Sequence, residues 1–178
     1  MRILAVSGSL RAESYNTALA RAAIELAPAG IEIELYEGLA WIPPYDGDDD
    51  SEDPPATVAQ LRSQIRGADG LLVVTPEYNG SVPGVLKNAI DWASRPHQQC
   101  ALWGKTVAIA GATTGRYGAI WAQQDLRRVL GLAGARVVEG EVPVPLAHEK
   151  FDDDGRLVDP LIAERLRTYH RETEPLVE

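Results

Sequence analysis

The sequence is poor in cysteine and has no long apolar run, and both absences restrict what the chain can be. Its one cysteine, Cys100, excludes a disulfide within the chain and a metal site made of several thiolates. No apolar stretch approaches the roughly 20 residues that a membrane-spanning helix needs. The apolar run of residues 3–6 ends at Ser7, Gly8 and Ser9 and is too short for a signal peptide. We therefore expect a cytoplasmic protein without a membrane partner.

Positive charge is also scarce, because 17 lysines and arginines stand against 26 aspartates and glutamates and leave a formal net charge of −9. A chain this acidic repels the phosphate backbone, so we expect no nucleic-acid partner. A phosphorylated small molecule can still bind, since a few backbone amides and one arginine make a local positive site. The length favours one domain, residues 1–178, and 45% of hydrophobic residues is enough for a core.

Several familiar motifs are missing, and each absence disfavours a class of protein. There is no Gly-x-Gly-x-x-Gly for a dinucleotide-binding Rossmann loop and no Gly-x-Ser-x-Gly for a nucleophilic serine. Residues 104–106 resemble the end of a P-loop, but Gln99 occupies the place of its first glycine. The acidic residues 46–53 do not form an EF-hand loop, because Ser51 and Thr57 stand where glycine and glutamate are required. We predict no metal site and no catalytic side chain.

The sequence does contain a regular alternation of strand and helix patterns. Continuous apolar runs predict three buried strands at residues 3–6, 71–74 and 106–110. Residues 31–35 alternate apolar and acidic side chains, as an edge strand does, and a fifth strand begins at Val137 and Val138. Apolar residues at helical spacing predict five helices, near residues 19–26, 58–65, 86–93, 126–133 and 161–169.

This alternation predicts an α/β fold, a doubly wound five-stranded parallel sheet between two layers of helices in a three-layer αβα arrangement. Because three strands are apolar throughout they should be central, whereas the alternating second strand should lie at an edge. The flavodoxin-like strand order 2-1-3-4-5 satisfies both conditions. Its topological switch point lies between strands one and three, where ligands bind in open α/β sheets.

Two loops at the carboxyl ends of predicted strands have unusual compositions. Residues 75–83, after the third strand, contain two prolines that stiffen the loop around a tyrosine, an asparagine and a glycine. An aromatic face, a polar amide and an approachable backbone suit a planar ligand with hydrogen-bonding edges. Residues 7–16, after the first strand, precede a helix whose free N–H groups favour phosphate. Both loops flank the switch point, so they predict one ligand crevice.

The first of these loops contains side chains that suit a phosphate group. Ser9, Ser14 and Asn16 provide hydrogen-bond donors, and Arg11 can form a forked, charge-assisted pair of bonds. Ser14 or Asn16 can instead cap the helix that follows. From these residues alone, a phosphate site and a capped turn with a solvated arginine are equally good interpretations.

Two longer motifs carry a resemblance to a known family. Residues 8–16 resemble the Gly-Ser-Leu-Arg-x-x-Ser-x-Asn phosphate loop of the NADPH-dependent FMN reductase family. Residues 76–92 are similar, almost residue for residue, to that family's second signature, here Pro-Glu-Tyr-Asn-Gly-Ser-Val-Pro-Gly-Val-Leu-Lys-Asn-Ala-Ile-Asp-Trp. The family includes chromate-, quinone- and azo-reducing flavoproteins. The resemblance extends from residue 1 to about residue 146.

The resemblance implies an oxidoreductase that binds FMN, with NADPH as hydride donor. The acceptor would be a small molecule: free flavin, a quinone, an azo compound or an oxidised metal ion. It also implies a homodimer or homotetramer. The cofactor-binding residues that it implies form three groups, namely Ser9, Arg11, Ser14 and Asn16 at the phosphate, Pro76, Glu77, Tyr78, Asn79 and Gly80 along the flavin ring with Ser81 on the phosphate side, and Thr114, Gly115 and Arg116 at the ring's other end.

Two hypotheses concern individual groups in this site. The N–H groups of Asn79 and Gly80 would bond the polar edge of the flavin ring and favour its reduced state. Arg116 would pair with the phosphate on the adenylate ribose of NADPH, or is a solvated arginine before a helix. Two other classes stay open: a flavodoxin-like electron carrier that does not use NADPH, and a regulatory module on the same fold without tight FMN binding.

Overall fold

A computed structural model describes residues 1–172, with side chains described through residue 168. Residues 173–178, which the single-domain prediction includes, lie outside the described residues. Within that range the strands are β1 (Arg2–Ser7), β2 (Glu32–Tyr36), β3 (Gly70–Val74), β4 (Thr106–Ala112), β5 (Arg136–Val137) and β6 (Val142–Val144). The helices are α1 (Tyr15–Glu25), α2 (Ala56–Gly67), α3 (Gly84–Ala93), α4 (Ile120–Leu132) and α5 (Pro160–Glu172).

The strand order confirms the predicted topology. The strands lie in the order β2-β1-β3-β4-β5, and all the pairings are parallel. The three continuously apolar strands are central and the alternating strand β2 is at an edge, as the sequence predicts. Loops at the carboxyl ends of β1 and β3 therefore lie side by side, at the predicted switch point.

The fifth strand position differs from the prediction because two short strands share it. Strand β5 pairs with the start of β4, and β6 pairs with its end in a shifted register. Gly140 lies between them with a φ of 82°, a left-handed conformation that interrupts an extended chain. Pro143 then reduces the hydrogen bonds that β6 can donate, because proline has no N–H. The edge is thus built from two segments rather than one.

The core lies in two layers, one on each face of the sheet. Helices α2, α3 and α4 cover one face, and α1 and α5 cover the other. Successive residues of β4 alternate between the layers: Val107 and Ile109 join the first, and Ala108 and Ala110 join the second. Burial on both faces explains why the central strands are apolar at every position. Within residues 1–172, none of the helices has the length and apolar character that crossing a bilayer requires.

The start of α5 allows a test of how the C-terminal helix contributes to stability. Asp159 Oδ1 accepts the N–H groups of Leu161 and Ile162 at 2.9 and 3.1 Å, and Oδ2 pairs with Lys150 at 2.8 Å. The hydrogen bond from Lys150, followed by that from Ile162, lowers the pKa of Asp159. We expect Asp159→Ala to reduce the free energy of unfolding by about 1 kcal/mol at neutral pH, the usual cost of losing a helix cap.

The same prediction has a pH dependence with a definite sign. The pKa of Asp159 is lower in the folded than in the unfolded chain. The stabilisation of the fold by Asp159 is therefore fully present above the ordinary pKa of 3.8, and it is lost as the pH falls through the folded-state pKa. Urea unfolding of parent and variant should therefore converge in acid. Asp154→Ala, which breaks an exposed ion pair with Arg156, is the control and should change little at any pH.

Candidate functional site

The loops after β1, β3 and β4 meet in one cleft of about 180 Å³ at the carboxyl edge of the sheet. Most of the residues predicted to bind the cofactor line it: Ser9, Arg11, Ser14, Asn16, Pro76, Glu77, Tyr78 and Thr114. The remaining predicted residues, Asn79, Gly80, Ser81, Gly115 and Arg116, lie in the same loops but outside this lining. The structure therefore brings together parts of the chain that are distant in sequence.

A glycine brings the first two loops into contact. A Cβ atom on Gly8 would lie 2.9 Å from Leu86 Cδ2 and 3.2 Å from Pro76 Cδ, both closer than ordinary van der Waals contact. The Gly8 N–H also donates to the Val74 carbonyl at 2.8 Å, which continues the pairing of β1 with β3. The absence of a side chain at Gly8 thus lets the first loop pack directly against the second.

The first loop presents hydrogen-bond donors around the start of α1. Ser14 caps the helix, its Oγ accepting the Asn16 N–H at 3.2 Å. Arg11 is exposed, and one of its terminal nitrogens donates to the Glu13 carbonyl at 2.7 Å. Among the described residues, the other guanidinium N–H groups of Arg11 have no hydrogen-bond acceptor. The loop is therefore a capped turn in which the helix start and the arginine both carry positive charge, a combination that favours an anion.

Asn16 joins this loop to the far side of the cleft. Its side chain is buried, with 4% exposed, and it bonds the backbone of Ala112 twice. Asn16 Nδ2 donates to the Ala112 carbonyl at 3.0 Å, and the Ala112 N–H donates to Asn16 Oδ1 at 2.8 Å. The family resemblance implies that Asn16 contacts the phosphate, whereas both polar atoms of its side chain bond the end of β4. The local sequence does not allow a hydrogen bond between residues this far apart in the chain to be predicted.

The second loop ends in a tight turn, residues 78–81. Tyr78 and Ser81 exchange two backbone hydrogen bonds of 3.1 Å, and Asn79 and Gly80 have φ values of 53° and 73°. Two successive positive φ angles define a type I′ turn, for which Asn-Gly is the preferred pair. That dipeptide was the available sequence signal for this turn. Among the described residues, the N–H groups of Asn79 and Gly80 have no hydrogen-bond acceptor, so they are free for a ligand.

Glu77 connects the second loop to the third. Its Oε2 accepts the N–H groups of Trp121 and Ala122 at 3.0 and 3.2 Å. Helix α4 begins after Ala119, which has a φ of 58° and no side-chain cap, so Glu77 provides the cap from another loop. The family resemblance implies a position for Glu77 along the flavin ring. It does line the cleft, but its carboxylate is directed to the helix start.

Buried contacts with α4 and β6 fix the position of the third loop, residues 113–118. Gln123 is completely buried and its Nε2 donates to the Gly118 carbonyl at 2.8 Å. A Cβ atom on Gly118 would lie 2.6 Å from Pro143 Cβ, so the loop packs closely on β6. Gly115 and Arg116 are exposed at its outer end. Within the described part of the chain, Arg116 forms no hydrogen bond or ion pair.

The acidic residues 46–53 lie apart from the cleft and have a structural role. Asp50 pairs at 2.7 Å with the buried Arg62, which also donates to the Trp92 carbonyl. Among the side chains described, no group of three or more histidine, cysteine, aspartate and glutamate residues is arranged to hold a metal ion. These contacts attach the acidic segment to α2 and α3.

Comparison with known proteins identifies the family to which this chain belongs. The sequence matches the family model for NADPH-dependent FMN reductase over residues 1–149. The chain belongs to this family. The match contains all three loops of the cleft and ends before α5, which packs on α1.

Individual relatives agree with the family assignment. The NAD(P)H-dependent FMN reductase PA1204 of Pseudomonas aeruginosa is 47% identical over 160 residues, which cover 89% of this chain and 85% of the relative. A quinone reductase of Pseudomonas putida is 41% identical over 158 residues, covering 88% and 84%. Among solved structures, the flavoenzyme FerB of Paracoccus denitrificans, an NAD(P)H:(acceptor) oxidoreductase, superposes with a TM-score of 0.86 at 33% identity, covering 97% and 94%.

The cleft fits FMN, the cofactor of NADPH-dependent FMN reductases, by the chemistry of its donors. One end offers the Ser9 hydroxyl, the Arg11 guanidinium and the start of α1, a set that suits a phosphate. Tyr78 also lines the cleft, and the turn that it begins, residues 78–81, offers the free N–H groups of Asn79 and Gly80 next to the lining. A Cβ atom on Gly80 would meet nothing within 4 Å, so this edge of the turn is open to a planar ligand.

Proposed function

We propose that this oxidoreductase binds FMN in the cleft, uses NADPH as hydride donor and reduces a small quinone. The observation that supports this most directly is a cleft that has the Arg11 guanidinium and the start of α1 in its lining and the unpaired N–H groups of Asn79 and Gly80 in the turn next to that lining. When bound, FMN accepts a hydride from the nicotinamide and passes electrons to the acceptor. The quinone acceptor is inferred from relatives, because the Pseudomonas putida protein is named a quinone reductase.

The residues of the chain divide into those that hold the cofactor and those that hold the loops. Ser9, Arg11 and the start of α1 bind the phosphate, and the Asn79 and Gly80 N–H groups bond the polar edge of the ring. Asn16 and Glu77 act on the loops, since their side chains bond protein backbone. This division requires no acid or base from the protein, in agreement with a site where the cofactor carries the chemistry.

Absorption spectroscopy tests the proposal. The purified protein is supplied with FMN, freed of excess flavin, and mixed with NADPH without oxygen. We expect bound yellow flavin that bleaches with NADPH and recovers its colour when a benzoquinone is added. Bound flavin that stays oxidised would instead favour the electron carrier. A protein that retains no flavin would favour the regulatory module.

Arg116 is the residue that we expect to favour NADPH over NADH. Its exposed guanidinium, at the outer end of the third loop, is available to a phosphate that only NADPH carries. We expect Arg116→Ala to weaken the preference for NADPH by about 10-fold, the value of one charge-assisted hydrogen bond. Steady-state kcat/KM for both nicotinamides measures this ratio. An unchanged ratio would show that Arg116 is only a solvated side chain.

We also propose that the protein acts in the cytoplasm as a homodimer or homotetramer. Large aromatic side chains are exposed, including Trp41 at 75%, and Tyr117 at 63% and Trp121 at 48% next to the third loop of the cleft. Tyr117 and Trp121 contact each other, with ring centroids 4.8 Å apart, so their exposed rings are adjacent. Such surfaces are commonly covered by another chain. Light scattering on the FMN-bound protein gives the number of subunits directly, and a monomer would contradict the proposal.

A further inference from the structure

The turn at residues 78–81 depends on helix α4 for its position. Tyr78 is 49% exposed, and Asn79 and Gly80 are also exposed, so the tip of the turn has little packing of its own. Two side-chain contacts attach it to α4. The Glu77 carboxylate accepts N–H groups at the helix start, and the Ser81 hydroxyl donates to Asp125 Oδ2 at 2.6 Å. The free N–H groups of the turn therefore lie between two attachment points.

Asp125 is well suited to hold the second attachment. Its Oδ1 accepts from Arg128 at 2.7 Å while Oδ2 accepts from Ser81, so both carboxylate oxygens are engaged. These hydrogen bonds, led by the one from Ser81, lower the pKa of Asp125 and keep it ionised at neutral pH. The opposite face of α4 is anchored in the core by Leu126 and Leu130, which are almost completely buried. The helix is thus a rigid support for the turn.

We propose that Asp125 is a positioning residue that acts through Ser81 on the FMN site. It holds the Asn79 and Gly80 N–H groups at the place where they bond the polar edge of the flavin ring. This inference rests on the proposed binding of FMN in the cleft. It assigns Ser81 a partner on α4, whereas the family resemblance implied a contact with the cofactor.

The expected consequence concerns both affinity and reduction potential. An N–H donor fixed in advance stabilises negative charge that develops at its acceptor, because no free energy is spent on orienting it. Reduction increases the electron density of the flavin ring, so a fixed turn favours reduced FMN more than oxidised FMN. Loss of the contact between Ser81 and Asp125 should weaken FMN binding by about 3- to 10-fold and make the midpoint potential more negative.

Four variants test this inference. Ser81→Ala removes the donor, Asp125→Ala removes the acceptor, and the double variant removes both. Asp125→Asn removes the charge but keeps an oxygen that can accept the Ser81 hydroxyl. For each protein, quenching of flavin fluorescence gives the FMN dissociation constant, and dye-coupled titration gives the midpoint potential. Thermal unfolding of the flavin-free proteins monitors the fold separately.

The proposal predicts that both single alanine variants shift affinity and potential alike, that the double variant is no worse than either, and that Asp125→Asn stays within about twofold of the parent. Glu164→Ala, which removes an exposed ion pair with Arg167 on α5, is the control and should match the parent. Single alanine variants that bind FMN as the parent does would overturn the inference. So would a double variant in which the effects of Ser81→Ala and Asp125→Ala add. An Asp125→Asn protein as impaired as Asp125→Ala would also overturn it. A parent protein that binds no FMN would overturn the proposed function as well.

Discussion

Replacing Arg11 with alanine is expected to weaken FMN binding by about 10- to 100-fold. Arg11 lines the cleft beside the start of α1, and its guanidinium has N–H groups beyond the one that bonds Glu13. A hydrogen bond to a charged group contributes about 1.5–3 kcal/mol, and each 1.4 kcal/mol is a factor of about ten in affinity. Fluorescence titration of the flavin-free protein with FMN measures the loss.

Riboflavin makes this prediction specific, because it has the same ring as FMN but no phosphate. We expect Arg11→Ala to leave the dissociation constant of riboflavin nearly unchanged. The ratio of the FMN dissociation constant to the riboflavin dissociation constant should therefore rise. Arg21→Ala is the matched control, since Arg21 is an exposed arginine of α1 that does not line the cleft. Equal losses for FMN and riboflavin in Arg11→Ala would show that Arg11 shapes the loop and does not bind the phosphate.

Replacing Asn16 with alanine is expected to reduce the free energy of unfolding of the flavin-free protein by about 2–4 kcal/mol. The change leaves both the N–H and the carbonyl of Ala112 buried without their partner. Each unsatisfied buried group costs about 1–3 kcal/mol, although relaxation lowers the sum. Urea unfolding at neutral pH measures the difference.

A comparison with Asn88 separates burial from hydrogen bonding. Asn88 also bonds backbone, accepting from the Tyr45 N–H at 2.8 Å and donating to the Pro43 and Ile42 carbonyls at 2.8 and 3.5 Å, but it is only partly buried. Water can replace those bonds, so Asn88→Ala should cost about 1 kcal/mol. If Asn16→Ala unfolds like the parent but loses affinity for FMN relative to riboflavin, Asn16 binds the phosphate as the family resemblance implied.

The strand order was predictable because it depends on local patterns. Three apolar strands must be buried on both faces, and an alternating strand must face water, so few arrangements remain. The division of the fifth strand was not predictable in the same way. It depends on how Gly140 and Pro143 meet the end of β4, and the sequence around Val137 and Val138 reads as an ordinary strand start.

The location of the site was also predictable, since residues at the carboxyl ends of neighbouring parallel strands must meet. Loops 7–16 and 75–83 do lie together, and Gly8 allows them to touch. The roles of individual side chains were harder to predict from the sequence. Asn16 and Glu77 occur in sequence motifs of the cofactor site, but in the structure their side chains hold β4 and the start of α4.

The sequence by itself determined the fold class, the strand order and the two loops that form most of the cleft, because periodicity, glycine and proline act over a few residues. Only the tertiary structure decided which polar side chains of the motifs form hydrogen bonds that hold the loops in place. Asn16 and Ala112 are 96 residues apart, and Ser81 and Asp125 are 44 apart. A hydrogen bond over such a separation in sequence depends on how whole strands and helices pack. It therefore cannot be predicted from the local sequence around either partner.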